Sequence, residues 1–318
     1  MGDLNLASAP FGRLLITGGA GFIGTNLICR LRERGFRGAI RVLDNECAGN
    51  RLALAGLEAE FHLGDVRDRQ SIRQAMSGTD QVIHLAADTT VVGSIDDPVR
   101  NYENNVLGTL NVLEVMREFG VSTIMNASTG GAIVGDAPPP VHEAVPPGPL
   151  SPYGASKLAA EGYCSAYAGS YGFRAVSLRF SNVYGPGSLN KGSVVATFMK
   201  ALLSGRPLRI FGDGTQTRDY IFVGDLADGI ISALARGQSG VYQLASGTPS
   251  DLMRIVRTLA DVSGRVISPE FEHFRKGEVR HTYCDISKAA RELGFACTTS
   301  LEDGVALTWN WFVRNAAQ

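Results

Sequence analysis

Three things are scarce in this chain, namely net charge, paired cysteines and long apolar runs, and each scarcity removes a class of function. Thirty Lys and Arg oppose 31 Asp and Glu, for a formal net charge of −1. That balance supplies neither the basic field that gathers nucleic acid nor the basic run that seeks an anionic membrane. No apolar stretch reaches the roughly 18 residues of a membrane span. MGDLNLASAP lacks the charged region and apolar run of a secretory signal, and Leu6 breaks the myristoylation pattern that Gly2 begins. Residues 1 to about 10 are expected to form a loose tail. The five cysteines (Cys29, Cys47, Cys164, Cys284, Cys297) are odd in number and show no C-x-x-C spacing. A reduced, cytoplasmic protein without zinc or disulfide is expected. Apolar residues, in contrast, make up 44% of 318 positions, which suffices for one large core or two lobes around a cleft.

The apolar residues alternate in a regular way. RLLITG (13–18) is a short strand pattern ending in glycine, followed by the helical pattern FIGTNLICRLRERG, which Gly35 stops. Strand patterns recur at 40–44, 60–65, 81–87, 122–128 and 175–180. Helical patterns lie between them at about 68–77, at 98–119 and from Tyr153 onward. Strands apolar on both faces, alternating with helices, predict a parallel sheet covered by helices. A proline-rich stretch, DAPPPVHEAVPPGPLSP (136–152), reads as a surface loop at the mouth of that sheet. Beyond residue 185 the alternation is less regular, which suggests a smaller lobe with pieces of chain returning to the sheet.

Two motifs carry chemistry. TGGAGFIG (17–24) joins a strand to a helix and satisfies G-x-G-x-x-G through Gly19, Gly21 and Gly24, and a looser spacing through Gly18, Gly21 and Gly24. Glycines there permit a tight turn and close approach of a pyrophosphate to the helix N-terminus. Asp44 ends the second strand twenty residues past Gly24. A carboxylate at that point accepts from ribose hydroxyls and repels a 2′-phosphate, favouring NAD over NADP. Asp65 suits either the adenine amino group or the N-cap of the following helix. The second motif is Tyr153 and Lys157, four apart on one helix face. A nearby ammonium favours the phenolate, so the pair is either a proton-transfer device or an ordinary exposed Tyr–Lys pair. Ser128 and Thr129 fall at the end of the preceding strand, where open α/β sheets meet their ligands.

TGGAGFIG, LDN (43–45), GDVRD (64–68), HLAA (84–87), NVLGTLNVLE (105–114), ASTGG (127–131), YGASK (153–157) and RFSNVYGP (179–186) together resemble the extended short-chain dehydrogenase/reductase family. IFGDGTQTRDYIFVGDLA (210–227) and RKGEVRHTYCDISKA (275–289) resemble its nucleotide-sugar epimerase/dehydratase branch, nearest the UDP-glucose 4-epimerases. The resemblance implies an α/β fold, a Rossmann-type doubly wound parallel sheet with a smaller C-terminal substrate-binding lobe. Residues 11–184, with 219–246 returning, would form the NAD domain; 185–218 and 247–318 would form the lobe. It implies NAD held by Gly18, Gly21, Phe22, Ile23, Gly24, Asp44, Asn45, Asp65, Val66, Leu85, Ala86, Ala87, Asn105, Tyr153 and Lys157. It implies Tyr153 as base, Lys157 as its partner, and Thr129, ahead of Ser128, as the helping hydroxyl. It implies a UDP-sugar held by Asn182, Val195, Arg209, Gln216, Arg218, Arg275 and Glu278, Arg218 being otherwise a structural partner of Asp219. His84 is expected to be a packed strand residue.

The chain departs from the family at Gly130 and Gly131, where dehydratases commonly carry an Asp-Glu pair; dehydration is therefore disfavoured. The reaction implied is inversion at C4 through a 4-keto sugar, with UDP-glucose and UDP-galactose as default substrates. Thr282 leaves room for an N-acetylated sugar. Lys191 suits a C6 carboxylate, although a solvated loop lysine is the plainer reading. A nucleotide-sugar dehydrogenase with net redox chemistry and a non-catalytic NAD-binding regulator are the alternatives. A homodimer through the helices near 98–119 and 154–171 is expected, with Val106, Leu110, Leu113, Ala155, Leu158 and Ala159 fitting either that interface or an ordinary core.

Overall fold

The computed structural model describes Leu6 and residues 12–274 and 279–315. Leu6 is not loose: it is 3% exposed, packs in the main core, and donates its N–H to the Arg34 carbonyl. β1 (Arg13–Thr17) is buried at four of its five residues, as a strand covered on both faces requires. α1 (Phe22–Glu33) buries Leu27, Ile28 and Leu31. β2 (Ala39–Asp44) and β3 (Ala59–Leu63) follow. α2 (Arg69–Met76) begins at Asp68, whose carboxylate accepts from the N–H groups of Gln70 and Ser71. Asp68, rather than Asp65, is therefore the N-cap.

β4 (Gln81–His84) leads to α3 (Val91–Asp96). The helix expected over 98–119 is interrupted: α4 (Pro98–Tyr102), a wider π-turn at Glu103–Leu107, then α5 (Gly108–Glu118). The wider turn brings in Asn105, whose side chain accepts from the Asp88 N–H and donates to the Asp88 carbonyl and Ser156 Oγ. Such turns often accompany functional loops. β5 (Thr123–Thr129) ends in a short helix, α6 (Gly131–Val134). α7 (Pro152–Tyr171) has Ser151 capping the Gly154 N–H and proline at its first position. It stops at Gly172, and β6 (Arg174–Phe180) follows.

The remaining elements are β7 (Asn182–Tyr184), α8 (Val194–Leu203), β8 (Arg209–Phe211), β9 (Thr217–Phe222), α9 (Val223–Arg236), β10 (Gly240–Leu244), β11 (Pro249–Asp251), α10 (Leu252–Ser263), β12 (Glu270–Glu272), α11 (Ser287–Leu293) and α12 (Leu301–Asn315). The main sheet has the order β10-β6-β5-β4-β1-β2-β3, and every pairing in it is parallel. Strand order reverses between β1 and β4, and that switch point opens a crevice at the strand ends. β10 joins beside β6, and Ala289, Leu293 and Phe295 pack into this sheet's core. β9 lies instead between β7 and β11, in a three-stranded sheet. A separate core of Tyr184, Phe198, Met199, Ile255, Leu259 and Phe312 belongs to the later elements. The proline-rich loop is more than a surface strap: Val141 bridges to Cys284 and exchanges backbone hydrogen bonds with Tyr283 and Asp285.

Asp219 fastens the junction of the two sheets. Its buried carboxylate accepts from Ser181 Oγ at 3.1 Å, the Ser246 N–H at 2.7 Å and Ser246 Oγ at 2.8 Å, and also from the N–H groups of Gly247 and Cys284. Removing it strands one buried donor, the Cys284 N–H, and several partly buried ones at once. Asp219→Ala is expected to cost roughly 2–4 kcal/mol in denaturant unfolding; a loss below about 1 kcal/mol would show that the donors find other partners.

Candidate active site

The crevice at the switch point begins with the glycine loop after β1. Gly18 sits at φ +69, and a Cβ there would lie 2.7 Å from the backbone nitrogen of Ala86. A Cβ on Gly24 would lie 2.5 Å from the Gly19 Cα. Only glycine lets the first turn of α1 close this tightly on β1 and on Leu85, Ala86 and Ala87 after β4. Gly21 is the N-cap and makes no side-chain cap bond, and the first turn, Phe22 to Gly24, holds no acid. The cradle therefore presents helix N–H groups and partial positive charge to an anion.

Asp44 closes the cradle at the end of β2. Its carboxylate is nearly buried and accepts from the N–H groups of Ala20 (3.0 Å) and Glu46 (2.8 Å). Burial raises its pKa, and these hydrogen bonds oppose the rise. Each oxygen keeps a lone pair for a ribose hydroxyl, so the residues fit a dinucleotide with an unmodified ribose. Asn45 Nδ2 donates to Asp65, whose carboxylate is also gripped by Arg67 and held at a pKa of about 2. The backbone carbonyl of Val66 accepts from Asn111.

The chemistry-bearing side chains gather where β4, β5 and α7 meet. The N–H of Tyr153 donates to Ser94 Oγ at 3.1 Å, which fixes the start of α7 against α3. A hydrogen bond with Thr129 lowers the phenol pKa, but burial outweighs it and pushes the value up to about 12. Lys157 is buried and donates from Nζ to the Ala127 carbonyl at 3.1 Å. Burial pulls its pKa down to about 8, and Glu161 opposes the fall. The expected lowering of the tyrosine pKa by Lys157 is thus not what the protein alone provides, because desolvation dominates both groups. Ser128 turns away from Tyr153 and donates to Glu161 Oε1 at 2.6 Å. Thr129 is therefore the hydroxyl beside the phenol. His84 is packed and neutral between Thr17 and Thr109 Oγ1, with its pKa lowered to about 3 by burial and then by Lys157.

Several residues here were not singled out by the sequence: Ser94, Ser156, Glu161 and Arg179. Glu161 had a readable signal, being an acid one turn beyond Lys157 on a helix otherwise small and apolar. Ser94 had none beyond its position after HLAA.

On the substrate side, Asn182 Nδ2 donates to the Asp219 carbonyl. Arg218 donates to the carbonyls of Thr217 and Arg280, and the Asp219 carboxylate is occupied elsewhere. Gln216 is buried, with Nε2 on the Phe211 carbonyl and Oε1 without a partner among the described residues. Arg209 is exposed and faces Glu270 and Glu272. Val195 is packed in the later core. Arg275 and Glu278 lie outside the described residues.

Comparison with known proteins agrees with this geometry. The family model described as NAD dependent epimerase/dehydratase family matches residues 14–245. A putative UDP-glucose 4-epimerase of Methanocaldococcus jannaschii is 37% identical, over 95% of this chain and 99% of its own. A UDP-glucuronate 4-epimerase of Thermodesulfobacterium geofontis is 33% identical, over 96% and 97%. The crystal structure of Thermotoga maritima UDP-glucose 4-epimerase with UDP-glucose aligns with a TM-score of 0.91 at 34% identity, over 96% of this chain and 99% of that one. A family model that matches most of the chain and these full-length likenesses point one way: the chain belongs to the NAD-dependent epimerase/dehydratase family.

Proposed function

We propose that this protein is an NAD-dependent UDP-sugar 4-epimerase. The observation that carries the reading is the meeting of Tyr153 with Thr129 at the end of β5, beside the dinucleotide cradle, with the Lys157 ammonium buried nearby. When bound, NAD supplies a hydride acceptor and, in its oxidised form, a positive charge. Thr129 holds the C4 oxygen while Tyr153 takes its proton and later returns one. The substrate passes through a 4-keto sugar, which turns over in the site before it is reduced on its other face. A phenol is protonated near neutral pH and burial raises its pKa further, so positive charge close to it is a requirement of the mechanism.

Dehydration would need an acid next to Thr129. Gly130 and Gly131 carry no side chain, and a Cβ on Gly130 would sit 2.7 Å from Gln243 Oε1 and 3.1 Å from Cys284 Sγ, so an acid there would first have to displace the Gln243 side chain. The UDP group is assigned to Asn182, Arg218, Gln216, Val195, Arg209, Arg275 and Glu278. The arginines suit it because a guanidinium fork pairs with phosphate oxygens.

One observation favours a hexuronate over a neutral hexose. Lys191, before α8, is half-buried, with Nζ 3.4 Å from Thr89 Oγ1. Desolvation lowers its pKa, and its charge reaches Lys157. It has no acidic partner among the described residues. A C6 carboxylate on the sugar would neutralise it.

A homodimer is part of the same reading. Val106 and Leu113 lie in the interior, so a partner would pack against Val99, Tyr102 and Tyr163, which are exposed on α4 and α7. Sedimentation is expected to give twice the chain mass, and Tyr102→Glu to reduce it to one; a monomeric parent protein would reject the dimer.

Tyr153→Phe is expected to lower epimerisation by about 10²–10⁴-fold while NAD stays bound in native mass spectrometry. Near-normal turnover would remove the tyrosine from the mechanism. Lys191→Met should cut kcat/KM for UDP-glucuronate by roughly tenfold or more, as expected for a lost charge-assisted hydrogen bond, and spare UDP-glucose. Equal losses on both sugars would count against the hexuronate reading.

A further inference from the structure

Beneath the reacting pair lies a buried three-element cluster that the reaction does not by itself require. Lys157 and Glu161 are one turn apart on α7. Adjacent residues of β5 hold them: the Ala127 carbonyl accepts from Lys157 Nζ at 3.1 Å, and Ser128 Oγ donates to Glu161 Oε1 at 2.6 Å. Arg179 on β6, in register with Ser128, completes the cluster. Its Nε donates to Glu161 Oε1 at 2.9 Å and its Nη2 to Glu161 Oε2 at 2.8 Å. The side chains of Arg179 and Glu161 are 5% and 6% exposed. Arg179 Nη1 has no partner among the described residues.

A buried ion pair is a poor device for stability alone, since apolar packing commonly does as well. This one carries an uneven count: the Glu161 carboxylate is paired with Arg179, and the Lys157 ammonium lies one helical turn away, within its field but with no carboxylate at ion-pair distance among the described residues. We propose that Glu161 is a positioning residue for the Tyr153–Lys157 pair: clamped by Ser128 and Arg179, its carboxylate keeps the Lys157 side chain charged and seated on β5. The proposal deepens the epimerase reading and rests on Tyr153 and Lys157 being its reacting pair.

The groups that act on Lys157 come from every side. Glu161 and Cys164 face it from α7, and both favour its charged form. Lys191 from the loop before α8 disfavours it, and His84 from β4 is neutral. β5 offers the Ala127 carbonyl, and Arg179 of β6 reaches it through Glu161. Cys164 is itself buried, with its pKa raised to about 12 by desolvation, so near neutral pH it is an uncharged thiol. Glu161 is then the one anion among these groups that offsets the desolvation of the ammonium. The sign follows. Lys157 must be protonated to act, so activity is lost as pH rises through its pKa. Removing the Glu161 charge moves that loss to lower pH.

The test is a titration of Lys157 itself. The chain has five lysines, so a protein labelled with ¹³C at the lysine ε-carbon gives a simple spectrum, assigned with Lys157→Arg. Glu161→Gln leaves Arg179 unpaired and endangers folding, so Glu161→Gln/Arg179→Met, which removes both charges, is measured alongside it. The Lys157 midpoint is expected to fall by about one pH unit or more in folded Glu161→Gln, and by less in the double variant, which removes the Arg179 cation as well. The alkaline limb of kcat is expected to fall with it. A midpoint that falls in neither folded variant, with only kcat or Tm reduced, would make Glu161 a structural residue and overturn the proposal. If the midpoint moves but no UDP-sugar is turned over by the parent protein, the hold of Glu161 on the Lys157 charge stands and the epimerase reading fails.

Discussion

Desolvation of a phenol and an ammonium at one place is the constraint on which the rest of this structure depends. Tyr153 and Lys157 are both pushed by burial toward their uncharged forms, the first upward and the second downward in pKa. Proton transfer needs the opposite, a phenolate beside a cation. On the proposed reading, fixed partners answer this need. Thr129 bonds the phenol, the Ala127 carbonyl seats the lysine, and Glu161 supplies counter-charge. Such preorganised groups act more strongly in a dry site than they would in solvent.

The sheet explains how these groups meet. β1 and β4 flank the switch point, so the glycine loop and the segment after His84 share one crevice. β5 lies next in line and delivers Ser128 and Thr129 on opposite sides of the strand, one toward Glu161 and one toward the phenol. α7 crosses behind, and its period of about four residues puts Tyr153, Lys157 and Glu161 on one face. β6 then brings Arg179 into register with Ser128. The interrupted helix at Glu103–Leu107 belongs to the same construction, because its Asn105 ties the loop after β4 to Ser156 of α7.

Much of this was legible in the sequence. Strands apolar on both faces, Gly18 to Gly24 before a helix, Asp44 at a strand end, and Tyr153 four residues before Lys157 are local patterns with direct physical meaning. What was not legible depends on contacts distant in the chain. The resemblance ranked Thr129 ahead of Ser128, but the reason Ser128 is occupied was not legible, because it donates to Glu161, which Arg179 grips from another strand. Nor could it show that Lys191 is half-buried beside Thr89, since 102 positions separate them. Desolvation of Tyr153 was likewise invisible, so a lowered phenol pKa was expected where burial raises it. Asp68 took the cap suggested for Asp65 because the chain turns once more before α2 begins.

The central claim is that one hydride leaves C4 and returns to the same carbon within a closed site. A UDP-sugar carrying deuterium at C4 tests this most directly, with the epimeric product analysed by mass spectrometry and NMR. The account predicts that the deuterium is kept at C4 of the inverted product, with no label in solvent and none in added NAD. Deuterium lost to water, or recovered in free reduced cofactor, would contradict it.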